Sequence, residues 1–163
     1  MGYTHYYHGQ ISRTTSSALQ TDIQTLLTTI TTTPTLSATI KITGPSGTGP
    51  PGLTDPTSIS LNAEADGGHE PLIIPMGEYI PFRFCKTARK PYDAVVGAVL
   101  LRCLFYSPPS GVADGTTAEG VGGKGFVVQS DGSWEEWMPA RELYLKAFGV
   151  EPTMPEGMTP SWN

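Results

Sequence analysis

Two stretches of this chain, at about 44–57 and 107–125, are so crowded with glycine and proline that neither helix nor strand is expected to run through them. Proline withholds a backbone donor and glycine is costly to order, so both stretches read as irregular loops. Regular structure is thereby confined to what lies before, between and after them, with an irregular tail expected after 150. At 163 residues the chain is long enough to bury a core without disulfides or metal, and one domain is expected.

Within those limits the patterning is readable. Tyr3 and Tyr7 alternate with polar neighbours as in a strand, with His5 between them and Thr4, Tyr6 and His8 on the other side. Leu19, Ile23, Leu27 and Ile30 recur at helical spacing and predict a helix ending before Pro34; its many threonines are poor helix formers, so the apolar stripe must hold it. Leu36, Ala38, Ile40 and Ile42 alternate with polar residues, as do Ile59, Leu61 and Ala63, and both read as half-buried strands. Further strands are expected at 72–74, 80–85 and 126–128. In the second of these, Phe82 and Phe84 share one face, and Arg83 and Cys85 the other. Helices are expected from Pro91 through the stripe Val95, Val96, Val99, Leu100 and Cys103, and from Pro139 to Phe148 before Gly149. Ser133 and Glu136 stand at capping-box spacing. The fold class is therefore α+β, a mainly antiparallel sheet with about three helices packed on one face.

Charge and composition exclude several functions. Fifteen Asp and Glu against ten Lys and Arg give a net charge of -5, a poor basis for sequence-independent nucleic-acid binding, so no nucleic-acid partner is expected. The longest apolar run, 94–101, is too short for a membrane span. With two cysteines and no signal pattern at its start, the chain reads as cytoplasmic.

Against that acidic background, Arg83, Lys86, Arg89 and Lys90 put four of the ten cations inside eight positions. The run Phe84-Cys85-Lys86-Thr87-Ala88-Arg89-Lys90-Pro91-Tyr92-Asp93 mixes thiol, ammonium, hydroxyl, guanidinium, phenol and carboxylate more densely than packing requires. Thiol catalysis is one reading: cations and a helix start lower the pKa of Cys85, His5 or His69 serves as base, and Asp131 or Glu70 orients it. The alternative is a plain strand cysteine, and Cys103 belongs to a helical core stripe. An anion pocket is another reading. Lys86, Arg89 and Lys90 meet the amides of the following helix, with Thr87, Tyr92, His69 and Glu70 adding polar contacts and Trp134 an apolar wall. The alternatives are a solvated turn, and a Trp134 and Trp137 pair that anchors the last helix. No metal is expected: His5, His8, His69, Glu70 and Asp131 are donors, but no pair has ligand spacing, and His5 and His8 point to opposite strand faces.

Four blocks also carry a resemblance. Met1-Gly2-Tyr3-Thr4-His5-Tyr6, Gly68-His69-Glu70, the run from Phe84 to Asp93, and Ser130-Asp131-Gly132-Ser133-Trp134 together resemble a family of short phage, bacterial and fungal proteins that has no established activity. The likeness covers most of the chain apart from the two glycine-rich loops and departs at Tyr7, where tryptophan is more usual. It implies that the four blocks converge on one site, and it supplies no reaction.

The expected function is an enzyme that needs no organic cofactor and binds an anionic small molecule. Acid-base or thiol chemistry would serve a cyclisation, isomerisation or hydrolysis, with His5, His69, Cys85 and Asp131 in catalytic roles. The alternative from the same residues is a binding protein that sequesters an anionic, nucleotide-like ligand.

Overall fold

The computed structural model describes residues 2–107 and 125–161, so the loop expected over 107–125 lies, for 108–124, outside the described residues. Among those described, four helices and two three-stranded antiparallel sheets form an α+β fold. Strand β1 (Thr4–Gln10) leads to α1 (Ser16–Thr32), α2 (Pro34–Ser37), β2 (Ile42–Thr43), β3 (Ser58–Ala63), β4 (Leu72–Pro75) and β5 (Tyr79–Lys86). Helix α3 (Asp93–Phe105), β6 (Val127–Ser130) and α4 (Met138–Phe148) complete it.

The first sheet has the order β5-β1-β6, which makes the N-terminal strand its centre. His5 stands opposite Cys85 on one side and Ser130 on the other. Alternation fixes the face: Tyr3, His5 and Tyr7 are buried, while Tyr6 and His8 are only half-buried. The register shifts at Gly9, whose φ of 107° suits glycine, and a Cβ there would fall 2.2 Å from the Gly125 carbonyl oxygen.

Helix α1 buries Leu19, Ile23, Leu26, Leu27 and Ile30. Its threonines return hydroxyl hydrogen bonds to the preceding turn, as from Thr21 to the Ser17 carbonyl at 2.9 Å and from Thr29 to Thr25 at 2.8 Å. Thr33 is extended, as the residue before a proline should be, and the helix stops there. Helix α3 is buried along nearly its whole length, and Gly97 lets it approach α4 closely: a Cβ there would stand 2.7 Å from that of Ala140. Ser133 and Glu136 form the reciprocal cap, at 2.8 and 3.3 Å, in the turn ahead of α4, which Gly149 ends at φ 74°.

The structure corrects two expectations. No strand runs from Leu36 to Ile42. Pro34 instead starts the single turn α2, in which the amides of Ser37 and Ala38 bond to the carbonyls of Thr33 and Pro34, and only Ile42–Thr43 is left to pair. Local turn bonds outweigh an alternation too short to commit the chain. The strands also do not form one sheet, because β2-β3-β4 is separate from β5-β1-β6. A continuous core nonetheless runs from Tyr7 through α1, β3, β4, α3 and α4.

Candidate functional site

The inward face of β1 carries a histidine into the core. His5 is 1% exposed, too buried to stay unpaired. Its Nε2 lies 2.6 Å from Oδ1 of Asp93, the first residue of α3, and its Nδ1 lies 2.9 Å from the Ser130 hydroxyl at the end of β6. Thr87 donates to the same Asp93 oxygen at 2.5 Å. The Tyr3 and Trp137 rings meet the imidazole edge-on at 5.2 and 4.9 Å.

Proton counting assigns the tautomer. Ser130 Oγ accepts the Gly132 amide at 3.0 Å and the Trp137 indole N–H at 3.1 Å, which fills its two lone pairs. Its own proton must therefore be donated, and Nδ1 of His5 is its acceptor. With Nδ1 accepting, the imidazole holds a proton on Nε2 and gives it to the Asp93 carboxylate. The order hydroxyl, imidazole, carboxylate is that of a proton relay.

Above this group lies Tyr3, buried and without a hydrogen bond to its hydroxyl. That hydroxyl sits close to Ser130 in no bonding geometry and against Gly132, where a Cβ would overlap it at 1.9 Å. Burial, then the charge of Asp93, pushes its pKa up to about 12, so it remains a donor. Arg89 covers the Tyr3 ring with its guanidinium 4.1 Å from the centroid, and bonds to Glu136 at 2.9 Å. Ala88 and Arg89 take φ of 52° and 57°, left-handed conformations rare for residues with a side chain. The amides of Thr87 and Ala88 both bond to the Tyr3 carbonyl, which ties that strained turn to the site.

Of the residues singled out in sequence, His5 and Thr87 meet here and Arg89 lies at the margin. Others form a separate group. Tyr92 donates to the Glu70 carbonyl at 2.6 Å, His69 Nδ1 donates to the Lys86 carbonyl at 3.0 Å, and the Lys86 amide bonds to the Glu70 carboxylate at 2.8 Å. These contacts join the 68–71 turn to the end of β5. Asp131 lies on the far side of β1, where it accepts from the Thr4 amide at 3.0 Å and the Tyr6 hydroxyl at 3.2 Å, and it does not orient His5. Trp134 leans on Trp137 and carries Arg141 over its ring at 4.5 Å.

Two chemical expectations change. Cys85 is fully buried, with its thiol 3.4 Å from the Glu70 carbonyl, and burial pushes its pKa up to about 12 instead of down. Strand alternation turns it into the core, so desolvation governs the thiol. The helix start is likewise not an open anion pocket: Gly67, Lys90 and Tyr92 carbonyls occupy the amides of residues 92, 93, 95 and 96, and Arg89 is engaged by Glu136.

Sequence reasoning gave Asp93, Ser130 and Tyr3 no role of their own in the site, and weighed Trp137 only together with Trp134, as an apolar wall or as an anchor for the last helix. Asp93 stood only as the carboxylate at the end of the polar run from Phe84, and Ser130 only as the first residue of the block ending at Trp134. A groove of about 410 Å³ between α2, α3 and α4 reaches Pro91 and Ala94 beside Asp93, but His5 does not line it. Among the described residues no set of three His, Cys, Asp or Glu side chains is grouped to hold a metal, and no helix is long and apolar enough to cross a membrane. No protein-family model, curated protein or solved structure matches this chain.

Proposed function

We propose that the protein performs acid-base chemistry on a small molecule without an organic cofactor, with His5 as the proton carrier. The observation that carries this reading is the Asp93, His5 and Ser130 chain around a buried imidazole, whose hydrogen bonds leave Nδ1 as its accepting nitrogen. A substrate O–H or acidic C–H that takes the place of Ser130 gives its proton to Nδ1. The imidazolium so formed faces the Asp93 carboxylate, which offsets its charge. The Tyr3 hydroxyl, a donor with no partner, suits an oxygen that gains negative charge as that proton leaves. Isomerisation, cyclisation or hydrolysis all fit this transfer. Thiol catalysis is not carried forward, because the Cys85 pKa lies at about 12. Two unpaired, buried cysteines suit a reducing, cytoplasmic setting.

A second reading, a sequestering protein that binds without turnover, is favoured by one observation: His5 is 1% exposed, and both its ring nitrogens already have partners. Small molecules that co-purify with the native protein, identified by mass spectrometry after denaturation, provide the probe. Incubation with native protein is expected to convert such a molecule. His5→Gln is expected to lower turnover by about 10² to 10⁴ while the affinity measured by calorimetry stays within a few fold. A molecule bound tightly and returned unchanged removes the catalytic reading.

A further inference from the structure

The opposite face of the same sheet carries a feature that the His5 site does not use. Phe82 and Phe84 on β5 are 58% and 52% exposed. Tyr6 on β1 lies beside them, with ring centroids 6.0 Å from Phe82 at an interplanar angle of 25°, and Phe82 lies 6.1 Å from Phe84. Three adjoining aromatic rings thus tile one patch of an open sheet. About half of each phenylalanine stays in water despite these contacts, and a contiguous patch of this kind marks a binding surface. Its floor is also fixed: the Tyr6 hydroxyl is held by Asp131 at 3.2 Å, and Tyr6 pairs directly with Phe84 across the two strands.

Charge limits the occupant. Alternation along β5 sets Lys86 on the same face, two residues beyond Phe84 and opposite Thr4. The Lys86 ammonium forms no ion pair among the described residues and sits by Gly2, where a Cβ would be 3.5 Å from Nζ. Asp131, the acidic group on this face, is spent on the Thr4 amide and the Tyr6 hydroxyl at the β6 side.

We propose that Tyr6, Phe82, Phe84 and Lys86 form a site for a planar aromatic anion of mononucleotide type. The ring stacks on the aromatic floor and the phosphate pairs with Lys86. Because this site lies on the other side of the sheet from His5, it does not rest on the acid-base reading. The adverse net charge of -5 leaves a long polyanion disfavoured while a single phosphate needs only one local cation.

The test is an NMR titration of the native protein with adenosine 5′-monophosphate, adenosine and inorganic phosphate as separate probes. Adenosine monophosphate is expected to shift the Tyr6, Phe82 and Phe84 resonances and to bind about tenfold more tightly than adenosine, while phosphate alone leaves the rings unmoved. Lys86→Gln is expected to reduce the monophosphate to the affinity of adenosine. Phe82→Ala and Phe84→Ala, at exposed positions that leave folding intact by circular dichroism, are each expected to weaken both nucleoside probes about fivefold or more. Binding unchanged in the phenylalanine variants, binding unchanged in Lys86→Gln, or no ring shift with the monophosphate would each overturn the proposal. So would a dimer in sedimentation that Phe84→Ala dissociates, because a second copy would then be the occupant.

Discussion

Asp93→Ala lowers the stability of the folded protein by about 2 kcal/mol, and Asp93→Asn by about half as much. The alanine variant strands the buried Nε2–H of His5 and takes from Thr87 the acceptor it holds at 2.5 Å. A buried donor without a partner costs about 1 to 3 kcal/mol; His5 loses the partner of its Nε2–H outright, and Thr87 falls back on the Tyr3 carbonyl at 3.5 Å. Asp93 itself is 24% exposed, so water re-satisfies part of the loss and the middle of that range applies. Asparagine keeps an acceptor oxygen but loses the charge that strengthens both bonds. Urea unfolding of the three proteins at neutral pH reads the difference, and a loss below about 1 kcal/mol for Asp93→Ala would place the contact among ordinary surface pairs.

The protein also loses stability steeply as pH rises above about 9, the ordinary value of a thiol. Burial is the first cause of raised pKa values at Cys85 and Tyr3, both pushed to about 12, and at Cys103, Tyr7 and Tyr92. All five groups are neutral when protonated, and the folded state disfavours the anion. The unfolded chain releases thiol protons from pH 9 and phenol protons from pH 10, whereas the folded chain keeps them. The unfolded state then binds fewer protons, and stability falls with rising pH. Their contribution is fully present below the unfolded values and is lost as pH climbs toward the folded ones. One unit above its unfolded value a group costs about 1.4 kcal/mol, so the two thiols alone remove about 3 kcal/mol by pH 10, and the phenols add to this beyond it. Urea midpoints at pH 8, 9, 10 and 11 should decline, with a shallower fall from 9 to 10 in the Cys85→Ser variant. A flat profile to pH 11 would mean that these side chains ionise within the folded protein.

Much of the fold was legible because it is local. The stripe of α1, the buried run of α3, the capping residues Ser133 and Glu136 and the alternation that turns His5 inward each depend on neighbours within a few positions. The strand parity of β5 was legible too, with Cys85 opposite Phe84, but parity does not say which face meets the core. The structure buries the cysteine and exposes the phenylalanines, the reverse of what reactivity and hydrophobicity suggest singly. Partners distant in sequence were the part that local pattern does not encode. His5 meets Asp93 across 88 positions and Ser130 across 125, and nothing near Asp93 distinguishes it from any acidic residue at a helix start. Leu36 to Ile42 went astray for a related reason: its alternation is genuine, but Pro34 commits the chain to a turn first.

The protonation pattern of the His5 imidazole tests the account most directly. Long-range nitrogen-proton correlation spectra at pH 7.5 separate the two ring nitrogens. The hydrogen-bond inventory predicts a proton on Nε2, slow to exchange and shifted downfield by the Asp93 carboxylate, with Nδ1 bare; that Nε2 signal disappears in Asp93→Ala. A proton on Nδ1 in the native protein would mean that Ser130 is an acceptor, and would contradict the relay on which the proposed chemistry depends.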